Sequence, residues 1–224
     1  MFENKKAFLF DMDGLLVDTE SIHLKMWHQL FLKKGIAIDL NVLKSTIGVS
    51  EATEKRILQE ALGADNHFFQ YLTEKEAMME AYLAKEGLPV KAGARELLTY
   101  LQREHKTVVL VSSSYETKVD EYLRLAGLND LIHNRVCGDD VKEAKPSPEI
   151  YLLALKKYHL KAEACIVFED SKNGIAAADQ AGIDVIGIPD LVDISDLGFP
   201  CLKAIYPDLH HVLKNLEKEH ENEL

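Results

Sequence analysis

Asp11 and Asp13 stand one residue apart, directly after the apolar run Ala7–Phe10 and directly before Gly14. A short apolar run closed by a turn signal reads as a buried strand. Acids at its carboxyl end lie where open parallel sheets bind ligands. Ionised carboxylates are costly to desolvate unless they are paired or bound to metal. The segment therefore points to metal-assisted chemistry. Three further polar pieces occupy comparable places. Ser112-Ser113-Ser114 follows the strand-like run 107–111, and Glu169-Asp170-Ser171 follows the run 165–168. Lys145-Pro146 precedes a helix pattern opened by Ser147 and Pro148, an N-cap with proline at the first helical position.

Together these pieces suit phosphoryl transfer from a monoester. Asp11, Asp13, Glu169 and Asp170 bring four carboxylates, and a phosphate brings roughly two more negative charges. At about 4 Å and an effective dielectric near 20, each like-charge pair costs about 4 kcal/mol. A cation must offset such a cluster, and oxygen-only ligands beside a phosphate favour Mg²⁺. Lys145 supplies a positive charge, and Ser112 with the amides of its loop can donate hydrogen bonds to phosphate oxygens. A carboxylate can also act as a nucleophile and form an acyl phosphate. Alone, Asp-x-Asp-Gly is common in turns. Four pieces in consistent positions are far more specific.

The ordered set Asp11-Met-Asp13-Gly14, Ser112, Lys145-Pro146 and Glu169-Asp170-Ser171 resembles the haloacid dehalogenase superfamily across essentially the whole chain. Its subfamily with a helical cap after the first motif, which includes small-molecule phosphatases and β-phosphoglucomutase, is the nearest in pattern. The resemblance implies a Rossmann-like parallel α/β core. It implies Asp11 as nucleophile and Asp13 as general acid/base, with the Asp13 backbone carbonyl also on Mg²⁺; spacing alone does not choose between the two aspartates. It implies Ser112, Ser113 and Lys145 as phosphate-binding residues. Asp11 and Asp170 would ligate Mg²⁺, joined by Glu169 directly or through water. In mutase-like members a histidine at the place of His23 faces the nucleophile.

The elements that must hold these residues follow from periodicity. From about residue 93, strand-like runs at 107–111, 134–137, 165–168, 185–188 and 204–206 alternate with helix patterns at 94–103, 116–126, 148–158 and 172–181. That alternation predicts a parallel sheet with helices on both faces. Between residues 15 and 88 it stops. Helix patterns at 21–34, 51–62 and 74–85 follow one another, ended by Gly35, Gly63 and Gly87. An all-helical cap inserted in an α/β core is expected: residues 1–14 and 89–224 as core, 15–88 as cap. Such caps can exclude water on closing. Asp18, Thr19 and Glu20 read as the start of the first cap helix, and the C-terminal stretch 217–224 reads as a solvated tail.

Bulk properties narrow the function. With 26 basic and 37 acidic residues, the net charge is −11, which argues against nucleic acid and against an anionic membrane surface. No apolar run approaches the roughly 18 residues of a membrane span, and the N-terminus lacks a secretion-signal pattern. Cys137, Cys165 and Cys201 are far apart and suit a reducing compartment. A cytoplasmic monomer is expected. P-loop, nucleophile-elbow, zincin and dinucleotide fingerprints are absent.

The leading expectation is a Mg²⁺-dependent phosphatase for a small phosphorylated metabolite, above all a sugar phosphate. The alternative is a β-phosphoglucomutase-type mutase, favoured by His23 and the Gly48-Val49-Ser50 turn. Against it, Glu51 stands where the mutase-like pattern has a basic residue, and Ala77, Met78 and Met79 stand where a second cap lysine is expected. A scaffold that only binds is disfavoured by the intact acid set.

Overall fold

The computed structural model describes residues 2–49, 51–63 and 67–221. Its centre is a six-stranded sheet in the order β3-β2-β1-β4-β5-β6, with every pairing parallel. The strands are β1 (Ala7–Phe10), β2 (Thr107–Val111), β3 (Asn134–Val136), β4 (Cys165–Glu169), β5 (Asp184–Gly187) and β6 (Leu202–Ile205). β1, β2 and β4 are apolar almost throughout, as strands covered on both faces must be. Alternation along β1 sends Phe8 and Phe10 to one face and Ala7 and Leu9 to the other.

Helices α5 (Ala94–Arg103), α6 (Glu116–Ala126) and α9 (Leu209–Glu221) cover the first face through Leu97, Leu101, Val119, Leu123, Val212 and Leu216. Helices α7 (Glu149–Lys157) and α8 (Lys172–Gln180) cover the second through Ile150, Tyr151, Ala154, Ile175 and Ala178. The doubly covered parallel sheet expected from the alternation is present.

Four helices intervene between β1 and α5: α1 (Thr19–Lys34), α2 (Leu40–Lys44), α3 (Glu51–Leu62) and α4 (Phe68–Glu86). They enclose a separate cluster of Trp27, Leu30, Phe31, Leu43, Leu58 and Phe68. α1 and α4 also turn Ile22, Met26, Met79 and Leu83 toward the cluster that covers the sheet. Two antiparallel segments join this insert to the sheet. Asp18 N–H donates to the Pro89 carbonyl at 2.9 Å, and Lys91 N–H donates to the Leu16 carbonyl at 2.9 Å.

Two expectations change. α4 begins at Phe68 rather than Glu74, because Phe68 stacks on Trp27 at 6.2 Å and extends the buried stripe through Lys75, Met79 and Leu83. A lysine inside that stripe hid the periodicity. The C-terminal stretch is helical rather than frayed as far as Glu221, since α9 runs to that residue, while residues 217–221 are exposed as expected, apart from half-buried Glu219. Glu219 also accepts from the Phe2 N–H at 2.8 Å. Residues 222–224 lie outside the described residues.

Candidate active site

β1 lies between β2 and β4, so the chain crosses in opposite directions on its two sides. Ligands bind at such a switch point, beyond the carboxyl ends of the strands. There the ends of β1, β2 and β4 bring together Asp11 and Asp13, Ser112 to Ser114, and Glu169 with Asp170. Lys145 arrives from the loop before α7. Its Nζ donates to Asp11 Oδ1 at 2.6 Å, to Glu169 Oε1 at 2.6 Å and to the Val111 carbonyl at 3.0 Å. Burial opposes the Lys145 charge, yet Asp11 and Glu169 outweigh it and raise its pKa well above the ordinary value.

Carboxylate oxygens of Asp11, Glu169 and Asp170 lie within 4.8 Å of one another, and all three residues are buried. Burial pushes the Asp11 pKa up to about 7, against the pull of Lys145. Burial, then the charges of Glu169 and Asp11, raises that of Asp170 well above the carboxylate range. A bound cation would relieve this, and an all-oxygen donor set fits a hard divalent ion. The acids are not equally open. Glu169 already accepts five hydrogen bonds, from Lys145, Tyr151, the Asp170 and Ser171 N–H groups and the Ser171 hydroxyl. A carboxylate offers about four lone-pair sites, so Asp11 and Asp170 have the freer oxygens.

The Asp13 carboxylate stands outside that group. It accepts from Thr19 Oγ1 at 2.7 Å, Ser114 Oγ at 2.9 Å and Ser112 Oγ at 3.5 Å. Burial raises its pKa and these hydroxyls lower it, with a net rise. Two of the three holders went unassigned in the sequence. Thr19 read as a helix start, and Ser114 was one serine among three. Ser112 is fully buried and also accepts from the Ser114 N–H at 3.1 Å, while Ser113 lines the cleft. Gly14 is required here. Its φ is +81°, and a Cβ would stand 2.3 Å from Asp170 Oδ2.

A cleft of about 1220 Å³ opens over these groups, walled on the opposite side by Glu20, His23, Lys75 and Glu76 of α1 and α4 and by the turn at Gly48. Asn173 ties α8 to that turn by donating to the Gly48 carbonyl at 2.9 Å. The expectation that α4 supplies only Ala77, Met78 and Met79 is corrected. Lys75, one turn earlier, is buried and reaches His23 Nδ1 at 3.0 Å and Glu76 at 2.5 Å. Burial and Lys75 push the His23 pKa down to about 3. An ammonium only donates, so Nδ1 accepts and the ring proton sits on Nε2. Ser50 and the Glu51 side chain lie outside the described residues.

Residues 8–188 match the model of the haloacid dehalogenase-like hydrolases. The chain belongs to this family. It is 34% identical over 184 residues to a phosphorylated carbohydrates phosphatase of Thermotoga maritima, covering 81% of this chain and 83% of that protein. It is 32% identical over 199 residues to the validoxylamine A 7′-phosphate phosphatase of Streptomyces hygroscopicus subsp. limoneus, covering 86% and 89%. A Thermotoga maritima structure named as a β-phosphoglucomutase superposes with a TM-score of 0.79 at 29% identity, covering 95% of this chain and 99% of that one. This haloacid dehalogenase-like chain is thus an enzyme of a hydrolase family, and phosphoric monoester hydrolysis is the activity that both named phosphatase relatives carry.

Proposed function

We propose that this enzyme is a Mg²⁺-dependent phosphatase of small phosphorylated carbohydrates, working through an aspartyl-phosphate at Asp11. The carrying observation is the pairing of a buried ammonium and a cation-ready acid group around one aspartate, with a second aspartate held apart by hydroxyls. In this reading Asp11 and Asp170 hold the cation, with Glu169 adding charge and the Asp13 carbonyl available as expected from the family. The cation would offset the charge on the phosphoryl oxygens. Asp11 attacks phosphorus as the bond to the leaving oxygen breaks. Asp13, whose raised pKa suits a proton carrier, protonates that oxygen. Asp13 then takes a proton from water, which hydrolyses the acyl phosphate to phosphate and regenerates Asp11. Lys145 and the Ser112–Ser113 loop grip the phosphoryl group.

The substrate class rests on the names of the two phosphatase relatives and on the polar cleft wall of Glu20, His23 and Glu76, which suits hydroxyl groups. A mutase reading keeps one specific support, the buried Lys75 beside His23. Lys75 is already paired with Glu76, which leaves it less able to hold a second phosphate. We place the enzyme in the cytoplasm as a monomer, because the described cysteines are free and buried and one chain supplies the whole site. Among the described residues, no helix is long and apolar enough to cross a membrane. The test is phosphate release from a panel of sugar and polyol monophosphates with Mg²⁺, beside Asp11→Asn. Release by the parent and a loss of at least about 10³-fold in the variant is expected, a size typical of removing a catalytic group. Clean isomerisation of β-glucose 1-phosphate without phosphate release would overturn the phosphatase reading.

A further inference from the structure

Asp190 follows β5 at the carboxyl edge that carries the candidate active site. Its side chain is 7% exposed, and its Oδ1 accepts from Lys91 Nζ at 2.5 Å. Its other oxygen, Oδ2, is buried with no hydrogen-bond partner. A buried charged acceptor left unmatched is costly, so such an atom calls for an explanation. Its direction supplies one. A Cβ built on Gly14 would meet Asp170 Oδ2 at 2.3 Å and Asp190 Oδ2 at 3.1 Å. Both oxygens therefore face the same small space over the Gly14 α-carbon. Asp190 is nevertheless outside the group of Asp11, Glu169 and Asp170 oxygens close enough to share one ion.

We propose that Asp190 is an outer partner of the cation site: its free oxygen accepts a hydrogen bond from a water held on the cation that Asp11 and Asp170 bind. This rests on the cation-site reading above. Lys91 fixes the orientation, since its ammonium holds Oδ1 and leaves Oδ2 turned toward Asp170. Lys91 also lies on the returning segment that joins the helical insert to the sheet, so Asp190 links that junction to the metal acids. Outer partners of this kind typically change metal affinity by 10- to 100-fold when mutated. Asp18 is the natural control. It flanks the same ammonium at 4.0 Å, and its Oδ1 is likewise buried without a partner, but it is not among the three atoms nearest to a Cβ built on Gly14, as the Asp170 and Asp190 oxygens are.

Isothermal titration of the chelator-stripped full chain with Mg²⁺ alone tests this without reference to turnover. Asp190→Asn is expected to weaken Mg²⁺ binding by about 10- to 100-fold, and Asp18→Asn to leave it within about twofold. Asp190→Glu keeps the charge and the Lys91 partner while moving the free oxygen. It is expected to weaken binding too, and it serves if the asparagine variant does not fold. Equal weakening by Asp18→Asn would overturn the proposal in favour of a general charge effect around Lys91. So would wild-type affinity in both Asp190 variants, or a wild-type chain that binds no Mg²⁺. A chain that binds Mg²⁺ yet hydrolyses no phosphomonoester counts against the phosphatase reading, and the Mg²⁺ comparison still decides the role of Asp190.

Discussion

Replacing Lys145 by methionine would remove a charge and keep most of the volume, which isolates the electrostatic work of this side chain. Lys145 is the ammonium between Asp11 and Glu169, 2.6 Å from an oxygen of each. At that range and an effective dielectric near 20, each attraction is worth about 6 kcal/mol before desolvation is subtracted. Breaking a buried pair by deleting one partner costs about 3–5 kcal/mol in practice. Glu169 keeps Tyr151, Ser171 and two backbone N–H groups, whereas the Asp11 carboxylate loses the cation that lowers its pKa. The loss should therefore fall mainly on Asp11 and depend on its ionisation. Asp11 already titrates near 7 with Lys145 present, and without it the pKa rises further. A group whose folded pKa is raised above its unfolded value near 4 holds its proton in the folded state, so stability falls as pH rises through that window. In chelator, Lys145→Met should lose about 3–5 kcal/mol at pH 8 and clearly less at pH 5. Added Mg²⁺ should return part of the loss. Urea unfolding followed by circular dichroism measures each value. A loss below about 1 kcal/mol at pH 8, or an equal loss at both pH values, would refute the reasoning from burial and pairing.

Gly174→Ala should be more disruptive than its size suggests, because a Cβ there would stand 1.7 Å from Glu169 Oε1 and 1.9 Å from its carboxyl carbon. Overpacking of this kind costs about 1–3 kcal/mol or more, which at about 2–4 °C per kcal/mol should appear as a lower melting temperature; an unchanged melt would contradict the geometry. Burial, with the charge of Asp13 added, raises the Glu20 pKa from 4.5 to about 8. Its ionisation therefore costs stability as pH climbs through that interval. In metal-free protein, Glu20→Gln should raise the melting temperature more at pH 8.5 than at pH 5, by an amount worth roughly 1–3 kcal/mol given about 1.4 kcal/mol per unit and the access of water to the cleft. Equal shifts at the two pH values would count against it.

Much of the scaffold was legible because its signals are local. Apolar runs followed by polar turns announced β1, β2 and β4, and the interval without alternation announced the helical insert. Asp11, Ser112 and Glu169 could be grouped because a parallel sheet places every strand end on one edge, whichever strands turn out to be neighbours, and Lys145 could join them because it stands just before a helix that starts at that edge. Elements whose stability comes from distant partners were harder to read. α9 depends on Leu209, Val212 and Leu216 meeting the sheet cluster. The early turns of α4 depend on Phe68 meeting Trp27, and Lys75 broke the apolar stripe that would have signalled them.

By itself the sequence showed which acids follow the strands and which lysine stands before the next helix, and it implied that oxygen ligands beside a phosphate call for a hard cation. Tertiary structure alone decided how the work is divided. It put Thr19 and Ser114 on Asp13, saturated Glu169 with hydrogen bonds, buried Lys75 against His23 and left one oxygen of Asp190 without a partner beside Gly14. The physical reason is range. Strand and turn preferences act over a few neighbouring residues, whereas a hydrogen bond or an ion pair depends on atoms a few ångströms apart in space, and in the site those atoms can come from 134 residues apart along the chain, as for Asp11 and Lys145.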